Sequence, residues 1–139
     1  MDDKIKQVLI VRKDLKMRKG KAIAQGAHAS LASFLNKTVN LTNSNSLDSE
    51  FINWQISINR EDPLVLWLQN DFTKIVLGID SLEALLELEE KAKNNGIYTT
   101  KITDKGLTEF HGEPTITVLA LGPDYSSKLD PITGKLELL

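Results

Sequence analysis

Val8-Leu9-Ile10-Val11, then Lys16-Met17-Arg18-Lys19-Gly20-Lys21, then Ala22-Ile23-Ala24-Gln25-Gly26-Ala27-His28-Ala29: the reading of these three runs decides the fold. The first is continuously apolar, as in a strand of a sheet covered on both faces, and predicts a strand over residues 5–12. The third opens a helix that runs from Lys19 or Gly20 to about Leu35. A glycine between lysines at the helix start leaves backbone N–H groups beside ammonium groups, a combination that binds anions, phosphate above all. At helical spacing Ile23, Ala24, Ala27, Leu31, Phe34 and Leu35 make one apolar stripe. Ala22, Gly26, Ala29 and Ser33 make a second face of small residues, so the helix is expected to be buried on two sides. Lys21, Gln25 and His28 follow each other at i, i+4 and i+7 along one edge of the stripe, which suits a site at the helix start.

The 139 residues fit one domain with one core, and 41% hydrophobic with 26% charged is the balance of an ordinary globular protein. No apolar run reaches the roughly 18 residues of a membrane span. The polar start Met1-Asp2-Asp3-Lys4 leads straight into a strand and does not read as a signal or transit peptide. Cysteine is absent, which excludes disulfides, thiol catalysis and cysteine metal sites and points to the cytoplasm. The net charge of −2 hides an asymmetry. Residues 4–21 carry a local +7 and the remainder −9. A polyanionic partner fits that distribution, and so does a solvated lysine-rich face.

Further along, Asn36–Ser46 reads as a loop rich in Asn, Ser and Thr, and Asp48 to about Ile58 as a short helix carrying Phe51, Ile52 and Trp54. Leu64–Leu68 after Pro63 is another helical turn or two. Lys74–Ile79 is a second strand. Asp80-Ser81-Leu82-Glu83 fits a capping box opening a helix, with Leu82, Leu85, Leu86, Leu88 and Ala92 inward. The pairs Glu87–Lys91 and Glu89–Lys93 lie outward, and Asn94-Asn95-Gly96 stops it. Ile97–Thr103 and Thr115–Leu121 are the third and fourth strands. The order predicts a three-layer α/β/α sandwich around a mixed four-stranded sheet in a single domain, with residues 37–73 as a divergent, insertion-like segment.

Several chemistries are excluded by motif. Gly20-Lys21 lacks the glycine five residues earlier and the Ser or Thr afterwards that a phosphate-binding P-loop needs. There is no G-x-G-x-x-G and no G-x-S-x-G. Two histidines, His28 and His111, without a His-x-x-x-His pair make a zinc site improbable. Taken singly, the remaining polar residues have ordinary structural readings. His28 is a helix-edge histidine, Asp104 a turn residue at a strand end, and Thr117 a packing position alternating with Thr115. Trp54 and Trp67 are core or interface anchors.

Taken together, they resemble a family. Ile10-Val11-Arg12-Lys13-Asp14-Leu15-Lys16-Met17-Arg18-Lys19-Gly20-Lys21 is similar to V-V-R-x-D-L-K-M-G-K-G-K, and Ile23–Ala29 to A-A-Q-x-A-H-A, both of the type-2 peptidyl-tRNA hydrolases. Ile102-Thr103-Asp104-Lys105-Gly106-Leu107-Thr108-Glu109 looks like that family's I-x-D-A-G-x-T-Q/E. Thr115–Pro123 looks like T-V-T-x-L-x-I-G-P, and Asp130–Leu139 like D-x-I-T-G-x-L-K-L-L. Four blocks in the right order are far more specific than any one.

The resemblance implies hydrolysis of the ester between a peptide, or an N-blocked aminoacyl group, and the terminal ribose of tRNA. It implies a metal-free, cofactor-free reaction and often a homodimer. Catalytic positions carry over onto Lys21, Asp104, Thr108 and Thr117, with His28 nearby in the pattern. Arg12, Lys16, Arg18, Lys19, Gln25 and Lys105 are the expected tRNA contacts. An ester hydrolase needs an activated water, a stabiliser for the developing oxyanion and a grip on the leaving group. Asp104 can orient or deprotonate the water, Lys21 can stabilise the oxyanion or hold the terminal phosphate, and the two threonines can hydrogen-bond the water or the ester. The chain departs from the pattern at Arg18, a glycine in the family, at Lys105, a small residue there, and at Leu107, usually basic. Asn70-Asp71-Phe72-Thr73 stands where the family has G-Q before its second strand. The competing expectation is a tRNA- or protein-binding module on the same fold without turnover. Leu107 and the middle segment favour it; intact Lys21, Asp104 and Thr117 oppose it.

Overall fold

The computed structural model describes residues 3–38, 42–43, 50–106 and 109–139. The elements run β1 (Ile5–Arg12), α1 (Lys19–Lys37), β2 (Thr42–Asn43), β3 (Trp54–Gln55), α2 (Pro63–Gln69), β4 (Lys74–Ile79), α3 (Leu82–Asn94), β5 (Thr99–Asp104), β6 (Thr115–Tyr125) and α4 (Ser126–Thr133). The main sheet has the order β4-β1-β6-β5, with β1 parallel to β4 and the β1–β6 and β6–β5 pairs antiparallel. It is the mixed four-stranded sheet that the sequence predicts, with helices on both faces. Among the described residues no helix is long and apolar enough to cross a membrane.

Alternation along the strands sorts the core into two layers. Val8, Ile10, Leu77, Ile79, Leu119 and Leu121 face α3 and α4 and bury Leu85, Ala92, Leu129 and Ile132 with them. Leu9, Val11, Val118 and Ala120 face α1 and bury Ala29. The α1 layer inverts the expected stripe. The residues it buries are Gln25, Gly26, Ala29 and Ser33, the small-residue face, whereas Ile23 is 72% and Leu31 58% exposed. Hydrophobicity favours burying the larger side chains. The small row wins because it allows close approach of the helix backbone to the sheet, Leu9 Cδ1 lying 3.7 Å from where a Cβ on Gly26 would sit. The helix is thus buried on one side only.

Four other expectations are corrected. Residues 50–58 form no helix: Trp54–Gln55 pairs as a two-residue ribbon with Thr42–Asn43, and Phe51, Ile52 and Trp54 are exposed. Trp67 is the buried tryptophan, its indole N–H donating to the Thr73 carbonyl at 2.9 Å. The helical turn there is real, with Asp62 as its N-cap and Pro63 at the first position, where a missing N–H costs nothing. The cap of α3 is Ser81, not Asp80: its hydroxyl accepts the Ala84 N–H, while Asp80 pairs with Lys13 at 3.1 Å on the surface. On α3, Glu89 points inward and bridges Lys101 of β5 at 3.1 Å, and Leu86 is exposed instead. The final strand runs past the expected Leu121 to Tyr125 and leads into α4, a helix the sequence did not predict. Residues 137–139 then return along β4, Gly78 N–H bonding the Glu137 carbonyl and Leu139 N–H the Val76 carbonyl.

The capping assignment has a direct test. Ser81→Ala is expected to cost about 1 kcal/mol, the usual worth of an N-cap hydroxyl. Asp80→Ala, which removes only an exposed ion pair, is expected to cost less than about 0.5 kcal/mol. Urea midpoints of the two variants decide between the assignments, and equal costs would restore Asp80 as the cap.

Candidate active site

Lys21 and Gln25 stand one turn apart on α1 and face the end of β5. From β5 comes Asp104. Lys21 Nζ lies 2.9 Å from Asp104 Oδ1, and Gln25 Nε2 donates to the same oxygen at 3.2 Å. The other carboxylate oxygen, Oδ2, accepts the backbone N–H of Gly106 at 2.9 Å. Gln25 in turn accepts the Thr117 hydroxyl on its Oε1 at 2.6 Å. The result is one hydrogen-bonded chain, Thr117 to Gln25 to Asp104, closed by Lys21. Thr117 and Gln25 are buried, and Lys21 and Asp104 show only their tips to solvent.

The place of Thr117 depends on an irregularity in the sheet. Ile102 pairs with Val118 and Thr103 with Ile116, so Thr117 is an extra residue opposite no partner. Strict alternation from Val118 would aim Thr117 away from α1. The bulge turns it toward α1 and lets Ile116 pack on the opposite face, against the α3 layer. Sequence pattern put Thr117 on a strand; the bulge was not readable from it.

The electrostatics follow from the donors. The hydrogen bond from Lys21 holds the Asp104 carboxyl below its ordinary 3.8, and the Gly106 N–H, the Lys21 charge and the Gln25 amide act in the same sense against the cost of burial. Asp104 is therefore ionised at neutral pH. Beside it, Lys21, Gln25, His28, Ile102, Thr103, Asp104 and Lys105 line an open cavity of about 340 Å³. His28 and Lys105 are exposed at its mouth.

The other expected residues are placed as follows. Lys16 and Lys19 are exposed before and at the start of α1. Arg18 is the N-cap residue of α1, 90% exposed, with Nε 3.8 Å from Glu109. No acidic residue occupies the first turn, and the Arg18 side chain makes no capping hydrogen bond. Arg12 is engaged elsewhere: its guanidinium holds both oxygens of Asp14 and the Ile116 carbonyl. The Arg12 hydrogen bond also keeps the Asp14 carboxyl below its ordinary value. Gln25 is 2% exposed, with both ends of its amide committed inside the chain of hydrogen bonds. Thr108, with Leu107, lies outside the described residues. Sequence reasoning missed Gly106 and Phe110. Gly106 at φ +81° turns its N–H onto Asp104, and a Cβ there would clash with the Glu113 carbonyl oxygen. The glycine after Asp104 was the signal for it.

The family model described as peptidyl-tRNA hydrolase PTH2 matches residues 5–139. A peptidyl-tRNA hydrolase of Methanothermobacter thermautotrophicus is 37% identical over 135 residues, covering 97% of this chain and all of that protein. One of Methanopyrus kandleri is 38% identical, covering 96% of this chain and 97% of its own. One of Methanocaldococcus jannaschii is 34% identical, covering 97% and 100%. With the match spanning both the β1–α1 and the β5–β6 connections that build the site, the chain belongs to the PTH2 family of peptidyl-tRNA hydrolases.

Proposed function

We propose that this peptidyl-tRNA hydrolase cleaves its ester at the Lys21–Asp104–Gln25–Thr117 chain. The observation that carries the reading is the convergence on one carboxylate of three donors from two separate segments, beside an open cavity. Water adds to the ester carbonyl carbon, the bond from that carbon to the ribose oxygen breaks, and the ribose oxygen takes a proton. The products are a peptide carboxylate and tRNA with a free terminal hydroxyl. Asp104, ionised and held by its donors, accepts a hydrogen bond from the attacking water and orients it; its depressed pKa makes it a weak base and a firm anchor. Lys21 supplies positive charge where the carbonyl oxygen becomes an oxyanion. Gln25, assigned to tRNA contact by sequence, serves here to fix Asp104, and Thr117 fixes Gln25. His28 and Lys105 meet substrate at the cavity mouth, and Thr108, four residues after Asp104 in sequence, is assigned to the site on the family resemblance alone.

The tRNA grip falls to Lys16, Arg18 and Lys19 around the uncapped start of α1, where helix N–H groups and cations face the same way. Arg12 shapes that loop through Asp14 and Ile116 and so acts on tRNA through its neighbours. The test is release of a labelled N-blocked aminoacyl group from tRNA, read beside tRNA binding. Release that depends on Asp104 and Lys21 supports the site; tRNA binding with no release above the spontaneous rate makes the chain a binding module.

Two further points belong to this reading. The missing cysteines favour a reducing cytoplasmic setting. The outer face of α1, with Ile23 and Leu31 exposed, favours a homodimer through that helix, since an apolar stripe left in water marks an interaction surface. Sedimentation of Leu31→Glu is expected to give a monomer where the unaltered chain gives a dimer. A monomer for both removes the dimer.

A further inference from the structure

We propose that Phe110 is a positioning residue for Lys21, helping to hold its ammonium beside Asp104. Lys21 Nζ lies 5.5 Å from the centre of the Phe110 ring and 2.9 Å from Asp104 Oδ1. The first distance is within the roughly 6 Å over which a ring face attracts a cation. The ring comes from the connection between β5 and β6, whose described residues 109–114 are fastened. Gly112 N–H bonds the Gly106 carbonyl at 2.7 Å and Glu113 N–H bonds the Phe110 carbonyl at 2.9 Å. Glu109, next to Phe110, faces Arg18 at the start of α1 at 3.8 Å. Closure at Gly106 is tight enough to exclude a Cβ. The loop therefore presents Phe110 to the first turns of α1 as a fixed wall.

The chemistry asks for such a wall. A lysine carries its charge on a flexible four-carbon stem and swings among many rotamers. A second carboxylate would fix it and also cancel its charge. An aromatic face attracts the ammonium through its quadrupole without accepting a proton or neutralising it. The positive charge stays available to an oxyanion, in the place where the ester arrives. This inference rests on the assignment of Lys21 to oxyanion stabilisation.

The experiment uses the intact chain with Phe110→Leu, which keeps apolar bulk and loses the ring, and Phe110→Tyr, which keeps the ring. Phe110→Leu is expected to lower kcat by roughly 3- to 30-fold, the span of one cation–π contact. KM should stay within about twofold, and Phe110→Tyr should stay within about twofold of the unaltered chain in both. Independently of activity, the Lys21 ε-methylene protons are expected to resonate upfield through the ring current and to lose that shift in Phe110→Leu. Unchanged kcat in Phe110→Leu, an effect confined to KM, an equal loss in Phe110→Tyr, or no ring-current shift in the unaltered chain overturns the proposal. Because Lys21→Met is measured in the same assay, a failure of the underlying site reads differently: Lys21→Met would then be as active as the unaltered chain.

Discussion

Asp104→Asn is expected to lower the rate of ester cleavage by about a hundredfold or more while tRNA binding is kept, the scale for removal of a group that acts on the reacting proton. The substitution preserves shape and leaves a specific conflict. Both carboxylate oxygens accept: Oδ1 from Lys21 and Gln25, Oδ2 from the Gly106 N–H. An amide offers one acceptor and one donor. Whichever way the substituted amide turns, an N–H faces another N–H, and a buried donor is left unmade. The loop behind Gly106 or the lysine in front must shift, and the attacking water loses its anionic partner. Acid does the same to the unaltered chain. The folded pKa of Asp104 lies below 3.8, so its contribution to stability is fully present above that pH and is lost as pH falls through the folded value. Urea midpoints of the unaltered chain and Asp104→Asn, compared from pH 7 to pH 3, are expected to converge toward the acid end. A gap that does not narrow at all as pH falls below 3.8 would show that the carboxylate is not what the variant lost. Between pH 5 and 8 Asp104 does not titrate, so a limb in the rate profile there belongs to another group.

Lys21→Met is the second large effect. Methionine keeps the length and apolar character of the stem and removes only the cation. Losing a charge aimed at a developing oxyanion costs about 10² to 10³ in kcat. It also strands Asp104 with one donor fewer in a site that shows little of itself to water. Because the two residues act as one unit, the double variant is expected within about tenfold of the worse single variant rather than at the product of the two losses. Single-turnover cleavage at saturating enzyme measures all three without interference from product release. Additive losses would mean that Lys21 and Asp104 act separately, the lysine on a phosphate and the carboxylate on the ester.

Much of this was legible in the chain, for identifiable reasons. Val8–Val11 and Lys74–Ile79 are apolar runs of strand length, and α3 carries its own stop in Asn94-Asn95-Gly96, where Gly96 takes φ +71°. The family was legible because its residue blocks are local strings on either side of two connections. The side of α1 that packs was not. Its apolar stripe outweighs its small-residue row in hydrophobicity, and only the proximity of the sheet reverses the order. The segment around Trp54 carries helix-spaced apolar residues that stay largely exposed, so periodicity promised a helix that the described residues do not form. The bulge at Thr117 depends on pairing with β5, a relation between distant residues that no local pattern holds. Arg12 looked like one more cation in a basic run; its bond to the Ile116 carbonyl is likewise a matter of strand neighbours.

The return of residues 137–139 along β4 has a consequence for solubility. β4 is Lys74-Ile75-Val76-Leu77-Gly78-Ile79, rich in β-branched residues and free of proline, and on its outer flank it would otherwise offer a row of unmatched peptide groups. Such a flank is the template on which strands of other molecules add and fibrils begin. The backbone of Glu137 and Leu139 occupies that row at Gly78 and Val76. These last residues act as a guard against self-association by edge pairing, and the burden they carry falls on main-chain atoms rather than on the identity of their side chains.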